Sequence, residues 1–165
     1  MYRMINTINK LERYVCLIKL YKKILVAVDG SDHAKHALNY ALDSADKWGA
    51  ELVILTVVPP ISPFIYSSEF DSTYIPELED NIRKSHQKIL RESAEQVNNK
   101  HLEIKVETRL EEGRPSDVIV ETAREEDVDL IVMGSRGLGG ITGWVLGSTS
   151  RHVVEVCTKP ILIVK

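Results

Sequence analysis

Glycines and hydroxyl side chains are concentrated in one segment near the C-terminus, residues 134–150. A glycine-rich backbone can approach an anion closely because no side chains intervene. Gly147-Ser148-Thr149-Ser150 is expected to open a helix, where unpaired N–H groups and the positive end of the helix dipole favour phosphate, and the hydroxyls add donors. The pattern therefore predicts a phosphate-binding loop, although a flexible loop followed by an ordinary Ser/Thr helix cap would have the same sequence.

Two better-known nucleotide motifs do not match this sequence. The chain contains no G-x-x-x-x-G-K-[ST] stretch and is therefore not a P-loop protein. Gly137, Gly139 and Gly143 imitate a dinucleotide-binding fingerprint, but the spacing is off by one residue and the motif follows the last inner strand rather than the first. A Rossmann dehydrogenase is therefore disfavoured.

The elements that must position this loop are indicated by apolar patterning from residue 22 onward. Short apolar runs predict strands at residues 24–28, 52–58, 130–133 and 161–164, and alternation of apolar with charged residues predicts a half-covered strand at residues 102–110. Helical periodicity predicts helices that follow Ser31 or Asp32, span about residues 76–100, begin at Pro115 and cover roughly residues 148–156. This alternation predicts an α/β fold: a three-layer, open five-stranded parallel sheet with helices on both faces, flavodoxin/Rossmann-like.

Three segments are expected to meet at the carboxyl ends of these strands, where open parallel sheets bind ligands. Asp29-Gly30-Ser31 follows the first strand, Thr56-Val57-Val58 ends the second, and the glycine-rich loop follows the fourth. A ligand site is therefore predicted at this edge of the sheet.

Two segments lie outside the regular pattern. Residues 1–20 are interpreted as an N-terminal extension, either a short amphipathic helix or a frayed segment, and residues 21–165 as a single domain. Residues 59–76 contain prolines, aromatics and serines without a period, which is typical of a lid, a binding loop or a mobile loop.

Composition and charge narrow the class of protein. The net charge of −3 argues against a nucleic-acid partner, and no apolar run is long enough for a membrane span. No secretory signal is evident, so a cytoplasmic location is expected. Neither the two cysteines, Cys16 and Cys157, nor the histidines have the spacing of a disulfide framework or a metal site; the histidines are His33, His36, His86, His101 and His152.

The glycine segment resembles the nucleotide-binding signature of ATP-binding universal stress proteins, G-x2-G-x9-G-[ST]. Here the signature is formed by Gly134, Gly137, Gly147 and Ser148. Three further stretches are similar to that family: Ile24-Leu25-Val26-Ala27-Val28-Asp29-Gly30-Ser31, Val128-Asp129-Leu130-Ile131-Val132-Met133-Gly134 and Lys159-Pro160-Ile161-Leu162-Ile163-Val164. The resemblance covers about residues 20–165 and implies an adenine nucleotide alpha hydrolase-like fold.

The resemblance implies roles for the matching residues. Asp29 would accept hydrogen bonds from ribose hydroxyls, in an adenosine site bordered by Ala27, Val28, Val57, Met133 and Gly134. The phosphates would be held by Gly137, Gly147, Ser148, Thr149 and Ser150. Arg136 stands where the family often has histidine, and it would either pair with phosphate or point into solvent. ATP is the expected ligand, with AMP or ADP as alternatives, and Mg²⁺ would enter only with the phosphates.

The resemblance also implies a function in stress tolerance, as a nucleotide-dependent regulatory module that signals through a protein partner of unknown identity. A slow ATPase or phosphotransferase is the first alternative, although no residue near the loop is an evident general base. A nucleotide-free structural dimer is the second. The wholly apolar segment Ile161–Val164 is expected to lie at a sheet edge and to form a homodimer.

Overall fold

The computed structural model describes residues 20–61, 75–99, 103–139 and 146–165. Five strands alternate with four helices in this part of the chain. In order, the elements are β1 Lys23–Ala27, α1 Asp32–Trp48, β2 Glu51–Val58, α2 Ile75–Asn99, β3 Val106–Glu112, α3 Pro115–Glu125, β4 Leu130–Gly134, α4 Ser148–Val156 and β5 Ile161–Val164.

The five strands form one parallel sheet in the order β3-β2-β1-β4-β5. From β1 the chain builds outward to β2 and β3, and then crosses to the other side of β1 for β4 and β5. The strand order therefore reverses between β1 and β4, which is where an open α/β sheet has its ligand crevice. The predicted five-stranded parallel sheet is confirmed.

Helices cover both faces of the sheet and enclose two apolar cores. On one face, the alanine- and leucine-rich side of α1 packs with Ile89 and Val97 of α2 against β1, β2 and β4. On the other, Ile119 of α3 and Val153 of α4 pack against β1, β2 and β4. The inner strands β1, β2 and β4 are buried on both faces, which explains their unbroken apolar sequences.

The ends of α1 follow the residues expected from the sequence. The Ser31 hydroxyl accepts a hydrogen bond from the N–H of Ala34 at 3.2 Å and caps the helix. Gly49 ends it in the left-handed conformation, with φ of 58°. Because both ends are fixed by local chemistry, the loop that carries Asp29 enters α1 in a defined direction.

The third strand differs from its prediction. Its pairing with β2 begins at Val106, opposite Leu52, whereas the apolar alternation placed its start at residue 102. Because β2 begins at Glu51, the described residues Glu103 and Ile104 lie before the start of the neighbouring strand. The strand also extends beyond residue 110, since Glu111 and Glu112 pair with Val57 and Val58 at the end of β2.

Glu126 lies at the end of α3 and joins that helix to the sheet through two ion pairs. Its carboxylate is 2.8 Å from the Lys23 ammonium and also pairs with the Arg109 guanidinium. The hydrogen bond from Lys23, reinforced by the charge of Arg109, lowers the pKa of Glu126 against the opposing effect of partial burial.

Several sequence-based expectations concern residues outside the described ranges, namely the short helix in residues 1–20, most of loop 59–76, and Cys16. Cys157 is a free thiol. None of the described helices is both long and apolar enough to cross a membrane.

Candidate functional site

A cavity of about 300 Å³ opens at the carboxyl ends of β1, β2 and β4, at the point where the strand order reverses. Every site residue proposed from the sequence lies on its wall: Ala27, Val28, Asp29, Val57, Met133, Gly134, Arg136, Gly137, Gly147, Ser148, Thr149 and Ser150. The wall also includes Leu138 and Gly139 of the glycine-rich loop and Pro59 of the segment 59–76. Its remaining residues were not indicated by the sequence: Ala34, Leu55, His86, Pro115 and Ile119.

Asp29 is held in a tight turn at the end of β1. One carboxylate oxygen, Oδ1, accepts a hydrogen bond from the N–H of Ser31 at 3.0 Å. Gly30 between them has φ of 85°, a conformation that side-chain-bearing residues rarely adopt. The turn thus fixes the Asp29 carboxylate at the cavity wall.

Gly137, in the loop after β4, packs directly against this carboxylate. A Cβ built on Gly137 would come within 2.5 Å of Asp29 Oδ2. The same loop is tied to the first one through Ser31, whose hydroxyl donates to the carbonyl of Arg136 at 3.4 Å. The two segments that the resemblance assigned to ribose and phosphates are therefore adjacent.

Gly134 has a packing role. A Cβ there would lie 2.9 Å from the backbone carbon of His33 and 3.0 Å from the N–H nitrogen of Ala34, both in the first turn of α1. The absence of a side chain at the end of β4 therefore allows α1 to begin close to the sheet. Gly134 therefore allows the turn after β1 and the loop after β4, which both contribute to the cavity wall, to lie close together.

The N-terminus of α4 faces the cavity through Gly147, Ser148 and Thr149. Gly147 is the N-cap residue and supplies no side-chain hydrogen bond to the first turn. The first N–H groups of an α-helix have no partner within the helix. This end of α4 is therefore available to hold an anion.

Ser150 differs from Ser148 and Thr149 because its hydroxyl is hydrogen-bonded within the protein. It is buried, and it lies 3.0 Å from the carbonyl of Ser135 and 3.1 Å from that of Gly147. The N–H of Gly147 also donates to the Ser135 carbonyl at 2.8 Å. Ser150 thus fastens the start of α4 to the end of β4, and it can offer a ligand only its backbone.

Another part of the cavity wall is apolar. It is formed by Leu55 and Val57 of β2, Met133 of β4, and Pro115 and Ile119 of α3. All except Pro115 belong to the second core, so this surface is the open end of that core. Such a slot suits a flat, largely apolar ring.

The ionisable side chains on the described part of the wall are Asp29, His86 and Arg136. They include one carboxylate, and no group of three potential metal ligands occurs among the residues that the structure describes. The wall thus combines a helix N-terminus, one acid and an apolar slot, an arrangement suited to holding a ligand with anionic and apolar parts.

Comparison with known proteins agrees with this architecture. The model of the universal stress protein family matches residues 20–165. Universal stress protein YxiE of Bacillus subtilis is 35% identical over 153 residues, covering 88% of this chain and all of the relative. A universal stress protein of Thermus aquaticus is 33% identical over 150 residues, again with 88% of this chain and all of the relative covered.

Solved structures give the same result. UspA of Lactobacillus plantarum superposes with a TM-score of 0.74 at 27% identity, covering 88% of this chain and 98% of that one. A universal stress protein solved in complex with cAMP has a TM-score of 0.61 at 30% identity, covering 87% and 96%. On the family match and these relatives, the chain belongs to the universal stress protein family.

Proposed function

We propose that this protein binds ATP in the cavity at the carboxyl edge of its sheet and acts as a nucleotide-dependent regulatory module in the response to stress. The observation that carries the proposal is that the N-terminus of α4 has no side-chain cap and faces the same cavity as the apolar slot. Asp29 lies on the wall with them. A nucleoside triphosphate has an anionic end, a hydroxyl-bearing sugar and an apolar base, which match these three features.

The phosphates are placed at the start of α4. The N–H groups of Ser148, Thr149 and Ser150 lie in its first turn, and the hydroxyls of Ser148 and Thr149 can supplement them. The backbone of Arg136 runs beside Gly147, since a Cβ on Gly147 would be 3.4 Å from Arg136 Cα. The Arg136 guanidinium is therefore proposed to pair with the phosphates, with Mg²⁺ accompanying them.

The nucleoside is placed toward β2. Asp29 Oδ2 would accept from the ribose hydroxyls, because Oδ1 already accepts from Ser31. The base would lie between Val57 and Met133, against Ile119. The related universal stress protein solved with cAMP supports an adenine nucleotide as the ligand class.

A regulatory role is favoured over hydrolysis or phosphotransfer by the composition of the wall. Within the described residues, the wall offers Asp29 as its single carboxylate, and that group is assigned to the ribose. Phosphoryl transfer requires a group that positions the nucleophile in addition to those that hold the phosphates. A slow ATPase therefore remains the second candidate, and a nucleotide-free structural dimer the third.

Homodimerisation through β5 is part of the proposal. β5 is an edge strand, and Leu162 on it is 37% exposed. The opposite edge, β3, carries Glu107, Arg109, Glu111 and Glu112, and charges of this kind discourage pairing between edges. The apolar edge is therefore the one suited to a second copy of the chain, across a two-fold axis.

Calorimetric titration with ATP and with GTP tests the proposed function. We expect saturable binding of one ATP per chain and weaker binding of GTP, because the slot offers the base mainly apolar contacts and GTP carries an additional polar edge. Equal affinity for both nucleotides, or no heat with either at millimolar concentration, would contradict it.

A further inference from the structure

Among the ionisable residues on the described part of the cavity wall, His86 is the one that neither the glycine motif nor the resemblance indicates. It belongs to α2, is half-buried, and lies on the wall with Asp29 and Arg136. A histidine that faces a ligand cavity can change both its charge and its hydrogen-bonding character near neutral pH.

The packing of α2 explains how His86 reaches the cavity. Ile89 lies over the turn after β1, since a Cβ on Gly30 would be 3.1 Å from Ile89 Cδ1. His86 precedes Ile89 by three residues and so occupies the same side of the helix, about 4.5 Å nearer its N-terminus. Because α2 follows the carboxyl end of β2, the N-terminal end of α2 lies nearest that edge of the sheet. His86 therefore lies beyond Gly30, toward the open edge.

The imidazole ring is oriented by its own helix. Nδ1 lies 2.8 Å from the carbonyl of Ile82, and a carbonyl can only accept, so Nδ1 carries a hydrogen. The Ser85 hydroxyl donates to the same carbonyl at 2.7 Å. The other ring nitrogen, Nε2, has no hydrogen-bond partner among the residues that the structure describes.

Few charged groups of the described residues lie around His86. Asp29 faces the cavity from the turn after β1, and Arg136 from the loop after β4. On α2 itself, Arg83 precedes His86 by three residues and is paired with Glu112. The cavity residues contributed by α1, β2 and α3 carry no charge. Protonation of His86 would therefore change a large part of the local charge.

We propose that His86 contacts the bound ligand directly and makes the affinity of the site for nucleoside phosphates rise as the pH falls. This inference rests on the proposed nucleotide binding. The protonated ring carries a positive charge and a second N–H donor at Nε2, and both favour an anionic ligand. By linkage, a ligand that favours the protonated ring is itself bound more tightly when the ring is protonated.

Calorimetric titrations with ATP and cAMP, from about pH 8 to about pH 5.5, test this inference across the range in which histidine titrates. The terminal phosphate of ATP takes up a proton in the same range, whereas the phosphodiester of cAMP keeps one charge. The cAMP data therefore report protonation of the protein without a change in the charge of the ligand. The variants are His86→Gln and, as a matched control, His36→Gln. His36 is exposed, lies outside the cavity wall, and has its Nδ1 3.2 Å from the Lys165 carbonyl.

For the wild type and His36→Gln, we expect affinity for cAMP to rise about threefold to tenfold across this interval. For His86→Gln, the change should be less than about twofold. A pH profile in His86→Gln that matches the wild type would overturn the inference while leaving nucleotide binding intact. Absence of binding by the wild type at every pH would contradict both proposals.

Histidine ring NMR of the unmodified protein gives an independent readout. The titration midpoint of the His86 Cε1–H resonance should move to higher pH when cAMP is added, and that of His36 should not move. A His86 midpoint unaffected by saturating cAMP would overturn the inference without reliance on any variant.

Discussion

Gly137 lies so close to Asp29 that a methyl group on its Cα would come within 2.5 Å of the carboxylate oxygen Oδ2. The other oxygen, Oδ1, is held by the N–H of Ser31 at 3.0 Å. A side chain at position 137 would therefore displace the carboxylate from the position in which the turn after β1 holds it. The glycine after β4 thus leaves the space that the Asp29 carboxylate occupies.

The first prediction is that Gly137→Ala lowers the affinity for ATP at least tenfold, because the added methyl group displaces the carboxylate assigned to the ribose. Gly137→Val should have the same effect, because the valine side chain would also displace the Asp29 carboxylate. Calorimetry on the variant and the wild type checks the prediction, and equal affinities would contradict it.

The second prediction is that alanine substitution lowers the free energy of unfolding more at Gly134 than at Gly147, although both glycines belong to the same motif. Gly134→Ala forces a methyl group against the backbone of His33, at 2.9 Å, and should cost about 1–3 kcal/mol of unfolding free energy. In Gly147→Ala the nearest atom is Arg136 Cα at 3.4 Å, an ordinary contact, so the cost should stay below about 1 kcal/mol. Urea denaturation of the two variants measures the difference. If Gly147→Ala were the less stable, the assignment of Gly134 to packing would be wrong.

The general architecture of this site could be predicted from the sequence because local patterns determine it. The apolar stripe of α1, its cap at Ser31 and its end at Gly49 each depend on neighbouring residues, and the structure confirms them. The strand ends then brought Asp29, Val57 and Gly137 to one edge, as expected for parallel strands.

Contacts that depend on how distant elements pack could not be predicted in this way. His86 reaches the cavity because of how α2 packs against β2 and against the turn after β1, which no local pattern reveals. Ser150 matched the phosphate motif, yet its hydroxyl bonds to the carbonyl of Ser135, fifteen residues earlier in the chain. The start of β3 depended on where its partner β2 begins.

The third prediction concerns stability in acid. The pKa of Glu126 is lowered in the folded protein, mainly by the hydrogen bond from Lys23. Its ion pairs therefore contribute stability above the ordinary glutamate pKa, and this contribution is lost as the pH falls through the lowered value. In Glu126→Gln, the unfolding free energy should be lower at neutral pH and should decline less steeply from about pH 5 to about pH 3.

Chemical denaturation at a series of pH values checks this prediction. Glu125→Gln serves as the control, because Glu125 is the adjacent, exposed carboxylate on the same helix. A Glu126→Gln profile parallel to the wild-type profile would show that the two ion pairs contribute nothing to the acid dependence.

The fourth prediction is that the protein is a homodimer that Leu162→Lys converts to monomers. Like charges placed across a two-fold axis between paired edges repel each other. A proline at position 162 would not be a clean test of the dimer. The carbonyls of Pro160 and Val164 accept hydrogen bonds from the N–H groups of Ile131 and Ser135, so every second residue of β5 faces β4. The N–H of residue 162 therefore also points toward β4, and proline would disrupt the sheet itself.

Sedimentation equilibrium at micromolar concentration measures the mass. Leu78→Lys is a suitable control, since Leu78 is equally exposed, at 37%, but lies on α2. A wild-type mass near that of one chain, 18.6 kDa, would exclude the dimer. A Leu162→Lys variant that stays dimeric would place the contact elsewhere.

The most direct test of the central claim is the response of backbone amide resonances to ATP in a ¹H–¹⁵N correlation spectrum. We expect the largest shifts at Gly137, Ser148 and Thr149, whose N–H groups lie at the proposed phosphate position, with smaller shifts at Val57 and Met133. The last turn of α1, which ends at Trp48 and contributes no residue to the cavity wall, should change little. Saturation of the chain with ATP without shifts at Gly137, Ser148 and Thr149 would contradict the account.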